Sequence, residues 1–312
     1  RSPLAADDGQ FAGQEPPRPY EICRDVQRGD ADDGALVTLR YVEEPDCGVR
    51  LHLPGSEPTE LYLSDVASVR RAREDGREQD SKAMDYWMPQ VAARRTGEQP
   101  FHSVFAAVQE PFSGRPFIDS VTHLEVSPAD ENCVALQVTS GDVTDMIIST
   151  LDEKPYPQRT AAGVTLKGRL GIVRRVDDTI TGMWLFEGSE LKSGECRLET
   201  EGSAYTGAIE RSTRKAEGAP HDAFITAADL PEGKALQGAW MIVTHGNGFT
   251  HGYEIDRIDT VDGKTRVILT EEHGLNIDGE TTEEVYFPQR TIESENTFTI
   301  PVCMAMVAQE DL

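Results

Sequence analysis

The chain has 312 residues, 30 basic and 55 acidic, a formal charge of −25 with histidines neutral. At roughly 150 residues per domain that length gives two domains or one large all-β unit, enough to bury a core without disulfides or metals. The acidic balance disfavours nucleic acid, whose phosphates need a basic footprint, and anionic lipid for the same reason. The longest apolar run, Ile300 to Ala308, is nine residues with Pro301 inside it, too short to span a bilayer.

Of the basic residues 23 are arginine and seven lysine. An acidic, lysine-poor surface stays soluble where salt screens charge, so a saline setting is one expectation; GC-rich coding is the other source of such a bias. Five cysteines (Cys23, Cys47, Cys133, Cys196, Cys303) are widely spaced with no CxxC, an odd count that matches no zinc template and predicts free thiols. The chain opens at Arg1 with neither a methionine nor an apolar leader core, which reads as a piece of a longer protein.

Residues 1–34 are rich in Pro, Gly and Asp and predict a polar arm or linker. From Ala35 the texture changes. ALVTLRYVEE, VRLHLPG and TELYLSDV alternate apolar and polar residues between Pro, Gly and Asp turns, the grammar of strands and hairpins. The charged insert from Val69 to Trp87 has no apolar stripe at helical spacing and predicts a solvated loop. FHSVFAAVQE, FIDSVTHLEV, CVALQVTS and VTDMIISTLD resume the strands, placing His102 on one of them as a hydrogen-bonded structural histidine. Two prolines in Lys154–Arg159 mark an internal boundary.

The second half repeats the grammar without repeating the sequence. Asp259 to Ile268 predicts a hairpin, with Asp262-Gly263 at a favoured primed turn. No segment shows sustained helical periodicity. The fold class that follows is all-β: an antiparallel β-sandwich followed by a second, smaller β-sheet unit. Its divisions are residues 1–34 as arm, 35–153 as the first part of the sandwich, and 154–312 as its remainder with a C-terminal β unit.

No phosphate-binding glycine loop, GxSxG elbow, HExxH or EF-hand loop is present. The densest polar cluster is Thr244-His245-Gly246-Asn247-Gly248-Phe249-Thr250-His251-Gly252-Tyr253. His245, Asn247, His251 and Tyr253 around glycines suit hydrogen bonding to a sugar or proton shuttling. The same run also reads as a turn between two strands, with Asn-Gly setting the hairpin. A metal reading of the histidine pair lacks a third ligand nearby in sequence, so no metal or cofactor is expected. Arg94 and Arg95 are a rare positive spot, fit to hold an acidic sugar bidentately or to neutralise neighbouring acids. His273, before Gly274, reads as a surface residue, and Glu271-Glu272 and Glu283-Glu284 as solvated strand ends. Tyr86, Trp87, Trp184 and Trp240 are candidates for stacking on sugars or for core packing.

The run ARRTGEQPFHSVFAAVQEPFSGRPFIDSVTHLEV carries a further signal. An arginine (Arg94 or Arg95) is followed by a strand with Ser103 and Phe105. Then come Glu110-Pro111-Phe112 and a strand with Phe117, Ile118 and Val121. This pattern resembles the C-terminal β-sheet region of the heparinase II/III-like polysaccharide lyases, over residues 35 to 210. The resemblance implies β-elimination of a uronate-containing polysaccharide by an N-terminal helical toroid, which supplies the tyrosine, histidine and carboxylate-neutralising groups. Neutralising the uronate carboxylate lowers the cost of the carbanion-like transition state. None of those catalytic residues maps onto this chain, so the chain alone is expected to be inactive.

The resemblance also implies a secreted or periplasmic setting. It implies acidic or neutral polysaccharide as the partner of the full-length protein. The rival expectation is a non-catalytic carbohydrate-binding or interaction β-sandwich module.

Overall fold

A computed structural model of the chain describes residues 5–6, 23–67, 85, 87–98, 102–286 and 289–308. The chain is all-β, built of antiparallel sheets with no closed barrel and no α-helix among the described residues. No helix there is long and apolar enough to cross a membrane. Two units divide it, residues 1–147 with 175–178, and residues 148–174 with 179–312.

In the first unit, alternation becomes a sandwich. Ala35–Arg40, Cys47–Leu53 and Val108–Ser113 form a three-stranded sheet. Cys23–Asp30, Glu60–Ala67 and Trp87–Arg94 lie side by side in another. Val37, Leu39 and Leu51 of the first sheet pack with Leu61, Leu63 and Val91 of the second, each contributing alternate positions to one core.

Two expectations change here. Residues 23–30 are not a loose arm: they pair with 60–67 across a bulge between Arg24 and Gln27. Backbone pairing along the sheet substitutes for the apolar content this segment lacks. His102 lies outside any strand and is exposed. Most of the charged insert, 69–84 and 86, lies outside the described residues and Tyr86 with it, while Trp87 opens a strand.

The unit division falls inside the strand Val143–Thr150, ahead of the proline-rich Lys154–Arg159. The end of that segment is tied down. Arg159 Nε and Nη2 donate to Asp152 Oδ2 and Oδ1 at 2.8 and 2.7 Å, with both side chains buried. The long strands Val164–Val176 and Thr179–Ser193 follow, adjacent in one sheet. Gly168 and Gly188 let the two backbones approach: a Cβ at 168 would lie 2.6 Å from Gly188 Cα. No disulfide joins any of the five cysteines, all of which lie among the described residues.

Most of the rest of the second unit is a ten-stranded sheet folded over on itself, while Arg159–Ala161, Cys196–Glu199 and Cys303–Val307 pair with the two long strands. The strand Thr250–Val261 serves both halves. Residues 250–254 pair with Trp240–His245, and residues 255–261 pair with Lys264–Leu269 beyond a bulge between Ile255 and Arg257. Met241, Val243, Phe298 and Ile300 from one half share a buried core with Phe224, Val267, Leu269 and Ile277 from the other. The hairpin at Asp262-Gly263 forms as the sequence predicts, with φ of +50° and +74° and Val261 paired to Lys264.

Candidate functional site

At one end of this folded sheet the inward-facing apolar columns turn polar. Met241 and Val243 lead to His245, and Phe298 leads back to Asn296 in the adjacent strand, in register with His245. Along Thr250–Val261 the same face carries Ile255, Tyr253 and His251. Across the fold, Thr281–Glu284 presents Thr282 and Glu284. Period-2 alternation thus gathers residues from four strands at one place.

Asn296 organises the floor. Its amide nitrogen donates to Gly279 O at 3.3 Å, so Oδ1 faces the histidine and can only accept. It accepts from Thr282 Oγ1 at 2.7 Å and from His245 Nδ1 at 2.6 Å. The proton of neutral His245 therefore sits on Nδ1, and Nε2 carries a lone pair. That nitrogen is buried and makes no hydrogen bond among the described residues, although the residue is only 1% exposed.

His251 packs edge-on against His245, with ring centroids 5.2 Å apart. Its Nε2 is also buried without a hydrogen bond among the described residues, and Glu284 Oε1 stands 3.6 Å away. Burial pushes the imidazole of His251 below its ordinary pKa and the nearby His245 adds to this, against the opposing pull of Glu284. Glu284 Oε2 has no hydrogen bond among the described residues, and Arg290 Nε lies 3.8 Å from it. The guanidinium of Arg290 rests 5.0 Å from the Phe249 ring centroid. Above these groups opens a depression of 410 Å³ lined by Gly248, Phe249, Thr250, His251, Glu284 and Arg290.

Such a set can accept a proton at an imidazole and offer both donors and acceptors to a hydroxyl-bearing ligand. Among the described residues no group of three His, Cys, Asp or Glu is placed to hold a metal ion.

The other candidates have different surroundings. Tyr253 joins the cluster, its ring stacked 6.3 Å from His251, yet its hydroxyl donates to His273 O at 2.9 Å. Burial, reinforced by Glu284, raises its phenol pKa far above the ordinary value, so it stays protonated. Asn247 is exposed and spends its side chain on the turn, accepting from Phe249 N at 3.0 Å.

Arg94 and Arg95 belong to the first unit and to another network. Arg94 lies 3.6 Å from Glu60. Arg95 donates to Thr59 Oγ1, Ser103 Oγ and Val104 O at 2.8, 3.0 and 2.9 Å and stacks on Phe105. Its donors are used up inside the protein.

Two readings made from local sequence are corrected. His273 is buried, not superficial: Nε2 donates to Thr213 O at 2.9 Å and Nδ1 accepts from Leu275 N at 3.1 Å. Glu284 is not a solvated strand end, since it faces inward to His251, whereas Glu283 is exposed. The alternation of Thr281–Glu284 was the available signal, but four residues are too few to show which face is buried.

A second polar knot lies in the first unit, and no local pattern marks its histidine. Glu110, in register with Arg50, is wholly buried. It accepts from the backbone N–H groups of Phe117 and Ile118 at 2.6 and 2.8 Å and from His52 Nε2 at 2.8 Å, with Arg50 Nη1 3.3 Å away. Burial pushes its pKa up, but the Ile118 amide, His52, the Phe117 amide and Arg50 together outweigh it and hold the carboxyl below its ordinary value.

No protein-family model matches the chain, and no curated protein matches it.

Proposed function

We propose that this chain is the C-terminal β-sandwich portion of a heparinase II/III-like polysaccharide lyase. In that role it supports β-elimination of a uronate-containing polysaccharide by a helical domain of the longer protein. The observation that carries the reading is the Glu110 knot. Two segments of the pattern behind the resemblance, Glu110-Pro111-Phe112 and Phe117-Ile118, meet there, because the Glu110 carboxylate accepts from the backbone amides of the second. A fully satisfied buried network of this kind specifies one local structure, which supports reading these residues as a mark of the fold.

The test follows the unsaturated uronide by its ultraviolet absorbance. A panel of uronate polysaccharides is incubated with this chain and, separately, with the polypeptide encoded by its whole gene. Product from the whole-gene polypeptide alone is the expected result. Product from neither overturns the lyase reading, and product from the chain alone overturns its accessory role.

A second reading, a non-catalytic carbohydrate-binding module, is favoured by a separate observation: Trp240 is 57% exposed on the outer face of the folded sheet.

A further inference from the structure

The outer face of one half of the ten-stranded sheet differs in character from the rest of the chain. Strand registers place Thr206, Thr299, Ile242 and Gly252 in one row across four strands. The next row holds Ala208, Thr297, Thr244 and Thr250. Trp240 and Glu254 are paired beside them. Glu254 is the one ionisable side chain in this set, in a chain where 27% of residues are charged. The inward partners on the same strands, Met241, Val243, Phe298 and Ile300, fill the core, so alternation alone assigns these residues to the outside.

Trp240 gives the face its centre. Its indole lies across Gly252, where a Cβ would come within 3.2 Å of the ring. Glycine thus provides a seat on which one side of the ring rests, while the residue remains exposed to solvent. An exposed indole on a glycine seat, with threonine hydroxyls nearby and Glu254 as the one charged neighbour in the set, pairs an apolar plate with neutral donors and acceptors. That combination complements a pyranose, which has an apolar C–H face and a rim of hydroxyls.

Charge selects among saccharides. The face offers no cation to a uronate or sulfate, and the chain's net charge of −25 repels polyanions. A stable interface between protein copies needs an apolar, well-packed centre; here one indole and Ile242 stand among five threonines, one alanine and one glycine.

We propose that this face binds a neutral polysaccharide chain, with Trp240 stacked on one sugar ring and the threonine rows contacting the hydroxyls of its neighbours. The inference rests on the second reading above and deepens it. It makes no use of the elimination chemistry or of the His245 cluster.

The experiment titrates the chain with cellohexaose, xylohexaose and mannohexaose, and with an alginate hexasaccharide as the charged control, following indole fluorescence and heat. The variants are Trp240→Ala and Thr299→Lys, each at an exposed or half-exposed position, with unfolding midpoints as the check on folding. At least one neutral hexasaccharide is expected to bind, to perturb the indole emission, and to bind about tenfold or more weakly to Trp240→Ala. Thr299→Lys is expected to weaken the same ligand.

The proposal is overturned by the absence of neutral-saccharide binding up to about 1 mM, by binding indifferent to Trp240→Ala, or by preference for the alginate oligomer. Concentration-dependent self-association abolished by Trp240→Ala also overturns it, and assigns the face to a second copy of the chain. Uronide release by the whole-gene polypeptide is a separate readout, so failure here and failure of the lyase reading are told apart.

Discussion

His52 Nε2 donates to Glu110 Oε2 across 2.8 Å, and the carboxylate it meets is wholly inside the first unit. Glu110 also holds two backbone amides, so its removal strands those donors together with His52 and Arg50. Glu110→Ala is expected to destabilise the chain by about 3 kcal/mol, the scale for breaking a buried charged pair. Glu110→Gln, which keeps the shape but cannot accept from all four partners, should fall between the two. Denaturant unfolding measures both, and a Glu110→Ala effect below about 1 kcal/mol would contradict the role assigned to the knot.

Arg159 grips Asp152 with two donors, and this pair closes the proline-containing segment. The Arg159 hydrogen bonds are the main reason the Asp152 carboxyl titrates below its ordinary value, outweighing burial. Lysine keeps the charge but cannot reproduce the planar fork. Arg159→Lys is therefore expected to lose about 2 kcal/mol in thermal or denaturant unfolding; an unchanged midpoint would mean that charge alone suffices.

Acid should weaken the fold in two separate windows. His251 and His273 both titrate below the ordinary imidazole value, chiefly because burial disfavours the charged ring. The unfolded chain therefore takes up protons first as pH falls through about 6.5, and stability falls from there until the folded-state values are passed. Carboxylates with lowered values, among them Glu110, Asp152 and Asp259, contribute stability above their ordinary range and lose it only in stronger acid. Unfolding midpoints across pH should show the first slope, and His273→Gln should flatten it. A slope unchanged in that variant would assign it to other groups.

Gly168→Ala is expected to cost about 1–3 kcal/mol, because the new methyl meets backbone that cannot rotate away. Gly194→Ala supplies the contrast: its Cβ would meet nothing within 4 Å, and any effect there reflects its φ of +57°. Circular dichroism melts of the two variants separate crowding from backbone conformation.

A net charge of −25 opposes compaction by self-repulsion. Unfolding midpoints should rise between low salt and about 1 M sodium chloride, where the screening length shrinks to about 3 Å. A flat or falling profile would leave the saline expectation without a physical basis.

The strands were legible because alternation is a local property. ALVTLR, ELYLSD and the Asp262-Gly263 hairpin each carry their pattern within a few residues. The polar sites were legible only in part. His245 and His251 stand close together in the sequence, but the groups that define their chemistry, Asn296 and Glu284, lie on strands far along the chain. His52 finds Glu110 58 residues away, and His273 finds Thr213 O 60 residues away. A lone histidine beside acidic residues looks solvated until those distant partners are known. Residues 23–30 misled for the converse reason: a polar segment reads as linker when its stabilisation comes from backbone pairing with strands still to come.

The strand Thr250–Val261 shows His251 and Tyr253 to the interior and Gly252 to the outside, beneath Trp240. Both surfaces are thus written on alternate letters of one stretch of sequence. Deleting a single residue from it would exchange them, turning the histidine outward and thrusting a side chain under the indole. Evolution can revise either surface by substitution, but insertions and deletions in this stretch must come in even numbers or fall in the turn before it.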